Sequence, residues 1–341
     1  MNLKKYIFEL VLVSIVLNFS GLTVYGASKS ESLVDSAQLL LVKQDYKGAK
    51  KLLSRHIQQF PQDNNAIYLD FAVEQTRILD YESYTVECDT FVLYAQELKE
   101  KLEKSLDTLT GRDSMMCVFY IANVSGGISV MKAKAGRWID AVKEAVQSVS
   151  VLGDICKAEP EFYAAYLGVG VFDYYLSNSF KWVPFVSRRG KEGIKNIEMA
   201  LNAEFPYNYA AKNSLCWILV EKKQFKEADS LAHSVLKEFP SNTIFLRIRA
   251  LISMWTGQYK QAIRFANKLI ALSEKRDPVN WSDVVAGYMI LTCSYDRLDL
   301  PNEACKAASD FLKIQIPEQY LNIPHIKKNI KEMTDILAKR N

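Results

Sequence analysis

Apolar positions return along most of this chain with the spacing of an amphipathic helix. The stretch KKQFKEADSLAHSVLKEFPSN, Lys222 to Asn242, shows the pattern well: Phe225 is followed three residues later by Ala228, and Pro240 comes twelve after that. Glu97 to Leu109 reads as a long amphipathic helix behind a loop near Asp80 to Thr85. EFYAAYLGVGVFDYY, Glu161 to Tyr175, gives a helix with small residues on one face, and KEGIKNIEMALNAEFP a second helix ending at Pro206. A lysine-rich helix from His325 to Lys339 comes last, and no stretch reads as a strand.

The Phe225–Ala228 pair is one copy of a repeat. Tyr259 and Ala262 stand in the same relation 34 residues on, and Tyr46 with Ala49 near the start. Pro61 follows Ala49 by twelve, as Pro240 follows Ala228. Trp138 with Ala141 is a further copy, and Ala304 a weaker one. A small residue lets two helices cross closely, the aromatic before it covers the turn, and proline stops the helix because it has no N–H to donate. Ala37, Cys216 and Ala250 supply a matching small residue on each preceding helix. A period of 34 with this placement resembles the tetratricopeptide repeat, a helix-turn-helix unit. The copies depart from that family where it usually carries tryptophan, with Leu33, Lys212 and Leu246 there instead.

The resemblance implies an all-α, right-handed superhelical array of about seven helical hairpins with a C-terminal capping helix, in one domain spanning 27–341. The spacing is irregular between Tyr46 and Trp138 and between Trp138 and Phe225. Each interval has room for two periods and about twenty extra residues. In the second, SNSFKWVPFVSRRG (177–190) reads as an insertion broken by Pro184.

Composition narrows the function. The hydrophobic fraction of 49% and charged fraction of 24% suit an ordinary folded protein, and 14 glycines with 9 prolines leave few turns. A net charge of +4 gives no case for nucleic acid. Lys4 and Lys5, an apolar run from Leu10 to Phe19 and the ending Val24-Tyr25-Gly26 fit a secretory signal over 1–26, so the expected product is periplasmic or secreted. An uncleaved anchor is the alternative, and no later stretch reads as a membrane span. The six cysteines form no C-x-x-C pair and the three histidines are scattered, so no metal or other cofactor is expected.

Chemistry is sparse. Gly168-Val169-Gly170 lacks the strand and third glycine of a phosphate loop and reads as helix packing. No serine, histidine and aspartate motif stands out, though one assembled in space stays open. The expected activity is therefore binding of a protein or peptide partner without catalysis. The resemblance places a groove on the first helix of each hairpin, which here means Asn213, Trp217 and Glu221, then Arg247, Leu251 and Trp255; packing between hairpins is the alternative for Trp217 and Trp255. The family's two-carboxylate clamp is not implied, since only Asn213 agrees with it. In the insertion, Trp182 is the candidate anchor, with Arg188 and Arg189 pairing to acidic groups of a partner; equally, Trp182 and Phe185 tuck onto the neighbouring hairpin and leave the arginines in water. A glycan- or small-ligand-binding envelope protein and an enzyme with a helical body are the competing classes.

Overall fold

The computed structural model describes the backbone of residues 29–179 and 184–340, and the side chains of 33–178 and 189–339. Every regular element among the described residues is a helix, apart from turns. In chain order the α-helices are α1 (Lys29–Val42), α2 (Tyr46–Gln59), α3 (Asn64–Tyr81), α4 (Tyr84–Ser105), α5 (Gly111–Lys134), α6 (Trp138–Ala158), α7 (Tyr163–Ser179) and α8 (Pro184–Ala200). They continue as α9 (Tyr207–Glu221), α10 (Phe225–Glu238), α11 (Thr243–Trp255), α12 (Tyr259–Ser273), α13 (Trp281–Arg297), α14 (Pro301–Leu312), α15 (Glu318–Leu321) and α16 (Pro324–Arg340). Paired in order, α1 to α14 make seven hairpins, and α16 packs on α13 and α14 as the expected final helix.

The repeat residues explain the pairing. Each consensus aromatic, Tyr46, Trp138, Phe225 and Tyr259, is the first residue of a second helix. Three residues on, Ala49, Ala228, Ala262 and Ala304 are wholly buried and Ala141 nearly so, as are Ala37, Cys216 and Ala250 on the first helices. Along α2 the buried residues Tyr46, Ala49, Leu53 and His56 form one stripe. Asp45 starts that helix by accepting the Gly48 N–H, and Asn242 and Asn280 start α11 and α13 in the same way. Most hairpin turns hold one residue in the left-handed region: Gln44, Glu82, Gly136, Lys223, Gly257 and Asp299. Trp138 departs from expectation, being 48% exposed where Tyr46 is buried. The first residue of a helix lies at the rim of its hairpin, so its burial depends on what the neighbouring repeat provides.

The extra length of the irregular intervals goes into helices rather than loops: α4, α5 and α6 run to 22, 24 and 21 residues. The expected loop near Asp80 to Thr85 is only the turn at residues 82–83. The expected insertion at 177–190 is likewise mostly helical. α7 continues through Ser179, and Pro184 opens α8, where a missing N–H costs nothing. The Gly168-Val169-Gly170 stretch lies inside α7. A Cβ on Gly170 would sit 2.6 Å from the Gly193 carbonyl oxygen of α8, so both glycines are there for close helix contact. By length and composition α5 could cross a membrane, contrary to the sequence reading; 67% of its apolar window is buried within the protein.

The described chain divides into two compact units. One holds residues 29–78 and 87–215. Its core carries an aromatic cluster, with Tyr68 stacked on Tyr120 at 4.6 Å and Phe119 edge-on to Phe162 at 4.9 Å. Burial holds the Tyr68 and Tyr207 hydroxyls well above the usual phenol range. The other unit holds residues 79–86 and 216–340, so the turn between α3 and α4 is built into the C-terminal half.

Candidate functional site

Two features of the C-terminal unit stand out chemically. One is a buried charge network around the 79–86 turn. Arg247 is 1% exposed, and its Nη1 lies 3.3 Å from Glu82 Oε1 and 3.2 Å from Asp283 Oδ1. Arg276 Nη1 donates to Asp80 Oδ2 at 2.7 Å, and Tyr81 donates its hydroxyl to the Pro278 carbonyl at 2.9 Å. Asn280, which caps α13, reaches Asp283 Oδ2 at 3.2 Å and the Asp80 carbonyl at 3.4 Å. Burial pushes Asp283 up to about 6, with Arg247 pulling it back.

Ser282, His325 and Glu82 meet in this network, an assembly in space that the sequence left open. Ser282 Oγ donates to Glu82 Oε2 at 2.8 Å, accepts from Arg247 Nη1 at 3.2 Å and lies 3.0 Å from His325 Nε2. The Glu82 carboxylate pairs with that same Nε2. A nucleophilic triad needs serine on one ring nitrogen and the acid on the other, so that the base can take a proton while the acid orients it. Here one nitrogen faces both, and all three residues are buried. This arrangement ties chain segments together and does not activate Ser282.

The second feature is a cleft of about 760 Å³ in the same unit. Its apolar lining includes Phe225, Trp255 and Tyr259, each half-buried, together with Met254 and Ile336. The Phe225 and Trp255 rings lie 6.2 Å apart, tilted by 37°. Phe225 and Tyr259 are the consensus aromatics of two consecutive repeats, so these positions line a surface as well as pack a turn. The facing wall is α16, whose Lys328, Lys331, Glu332, Asp335 and Lys339 follow helical spacing. Lys223, Asp296 and Arg297 complete the rim. Cys293 lies in the wall with its Sγ 3.5 Å from Glu332 Oε1. Burial, then the Glu332 carboxylate, push that thiol well above the usual range, which keeps it protonated and unreactive.

Of the sequence-derived groove residues, only Trp255 lies in the cleft. Arg247 and Leu251, on the same helix, are buried, and Glu82 from the 79–86 turn lies on Arg247 where a regular groove would be open. On α9, Trp217 is fully buried, Asn213 is 8% exposed and Glu221 is half-buried. Of the insertion residues, Trp182 and the Arg188 side chain lie outside the described residues. Arg189 Nη2 is 2.6 Å from Asp173 Oδ1 of its own chain and lies over the Phe172 ring, so its acidic partner is internal. The lysines of α16 were legible only as a polar cap. The sequence signal that marks them is their recurrence on one helical face.

The six cysteines are unbonded, and no group of three histidine, cysteine or acidic residues among the described residues could hold a metal.

No family model matches the sequence, and no curated protein does. Solved structures do. A chain of the APC/C hetero-tetramer Cut9–Hcn1 superposes with a TM-score of 0.56 at 13% identity, covering 92% of this chain and 56% of that one. The present chain therefore spans little more than half of that protein's length. A tetratricopeptide repeat protein from Parabacteroides merdae ATCC 43184 matches at 0.41, with 13% identity over 89% of this chain and 98% of that one. PilW, a type IV pilus biogenesis factor, matches at 0.39, with 13% identity over 91% and 100%. Together with the buried alanine crossings and the seven hairpins, the first likeness assigns the architecture: this chain has the all-α fold of tetratricopeptide-like helical repeats.

Proposed function

We propose that the protein is an exported, non-enzymatic scaffold that holds a segment of a partner protein in the cleft of its C-terminal unit. The observation that carries this reading is the set of Phe225, Trp255 and Tyr259, three large rings left half-buried at one open cleft. Aromatic side chains with one wet face are enriched at the centres of protein interfaces. The repeat fold supports the reading, because stacked hairpins present extended surfaces for other chains. The Cut9–Hcn1 relative is itself part of a hetero-tetramer. Export rests on the composition of residues 1–26, which lie outside the described residues.

The test is a Trp255→Ala, Tyr259→Ala double variant, compared with the unaltered protein for co-purifying proteins and melting temperature. Partners lost at a nearly unchanged melting temperature support the cleft as the binding surface. Partners retained in full would move the interface elsewhere.

A further inference from the structure

The charges around the cleft are unbalanced. Lys223, Arg297, Lys328, Lys331 and Lys339 stand against Asp296, Glu332 and Asp335. Glu332 is also engaged by the Cys293 thiol. Lys223, Arg297, Lys331 and Lys339 are exposed, and none of them makes an ion pair with another described residue. Three surface lysines outside the cleft meet carboxylates of their own chain, Lys157 on Asp154, Lys195 on Glu192 and Lys313 on Asp310, each at three residues' spacing. Around the cleft the cations instead ring an aromatic floor. That combination suits a ligand carrying an apolar side chain for the floor and negative charge on either side of it.

Resting on the reading of the cleft as a protein-binding surface, we infer that its occupant is an acidic peptide segment. An aliphatic or aromatic side chain of that segment seats against Phe225, Trp255 and Tyr259. Its carboxylates face Lys223, Arg297, Lys331 and Lys339. Rim charges of this kind set partner choice and the rate of encounter more than raw affinity. A basic segment would meet like charge and is selected against.

The experiment uses the full chain and short, capped, fluorescently labelled peptides read by anisotropy. Each of three peptides carries a central Phe-Leu pair, flanked by Asp and Glu, by Lys, or by Ser and Gly. A fourth has the acidic flanks with Ala in place of Phe-Leu. The acidic Phe-Leu peptide is expected to bind about tenfold more tightly than the neutral one. That margin should vanish near about 1 M salt, where the screening length is ~3 Å. Lys331→Glu combined with Lys339→Glu changes only exposed positions and should weaken the acidic peptide about tenfold without lowering the melting temperature. Suppose instead that acidic and neutral peptides bind alike, the charge reversals change nothing, and Trp255→Ala still weakens both. The acidic inference then falls while the cleft stands as a peptide site. Failure of every peptide to bind, or binding insensitive to Trp255→Ala, overturns both readings.

Discussion

Arg247→Ala tests the buried network at its most connected point. Arg247 is 1% exposed and lies 3.3 Å from Glu82 and 3.2 Å from Asp283, which are themselves 1% and 0% exposed. Alanine would leave both buried carboxylates without the Arg247 guanidinium. Removing one partner of a buried ion pair costs about 3–5 kcal/mol, because the remaining charge stays out of water. Spread over a cooperative unit of this size, that is a fall of roughly 10 °C in melting temperature. The pH dependence has a definite sign. Asp283 is already raised to about 6 in the folded state, above its unfolded value. Its contribution to stability is therefore fully present below an unfolded pKa of about 3.9 and is lost as pH rises through about 6. Without Arg247 its carboxyl rises further, and protonation then removes the buried charge that the variant cannot compensate. The variant's deficit should shrink by about 1–2 kcal/mol between neutral pH and about pH 4.5. The assay is urea unfolding of both proteins at each pH. A deficit under about 1 kcal/mol at neutral pH, or one that does not shrink on acidification, would show that these carboxylates are solvated and the network is not a stabilising core.

Three further substitutions or measurements bear on the fold and on export. Ala228→Leu should cost about 1–3 kcal/mol by overpacking a hairpin crossing where the Cys216 sulfur lies 3.7 Å from the Ala228 carbonyl oxygen, read by thermal unfolding. Gly170→Ala should be worse than Gly136→Ala. The first forces α7 from α8, while the second has open space around it and pays only the left-handed backbone at φ 84°, about 1–2 kcal/mol. Equal costs would mean that α7 and α8 do not pack through their glycines. The mature protein should begin at Ala27, checked by N-terminal sequencing of exported material; intact Met1 in a membrane pellet would favour the anchor.

The repeat was legible because it is dictated locally. Where two helices of a hairpin cross closely a small residue is favoured, and in several copies an aromatic stands three residues before it, so Ala49, Ala228 and Ala262 announced themselves, and about seven hairpins with a final helix followed. The site was less legible, for a physical reason. Glu82 and Arg247 are 165 positions apart in sequence, and Asp80 and Asn280 are 200 apart. No period connects them, yet their contact covers Arg247 in what a regular array would leave as groove. Positions carried over from a family assume regular stacking, and the 79–86 turn removes that assumption in this unit. Trp255 lies two turns further along α11, at its end, where it lines the cleft. Pro184 misled in the opposite direction. It reads as a breaker in sequence but opens α8, since only position within the helix decides whether its missing N–H matters.

The proposed role of the cleft lined by Phe225, Trp255 and Tyr259 is to hold another protein. The most direct measurement is site-specific photocrosslinking in the native host, with a photoreactive phenylalanine analogue placed at Tyr259 and, as a control, at exposed Lys237 on α10, which does not line the cleft. A discrete protein adduct is expected from position 259, absent from position 237 and abolished by Trp255→Ala. Adducts of equal yield from both positions, or none from position 259 while the protein still co-purifies with its partners, would contradict it.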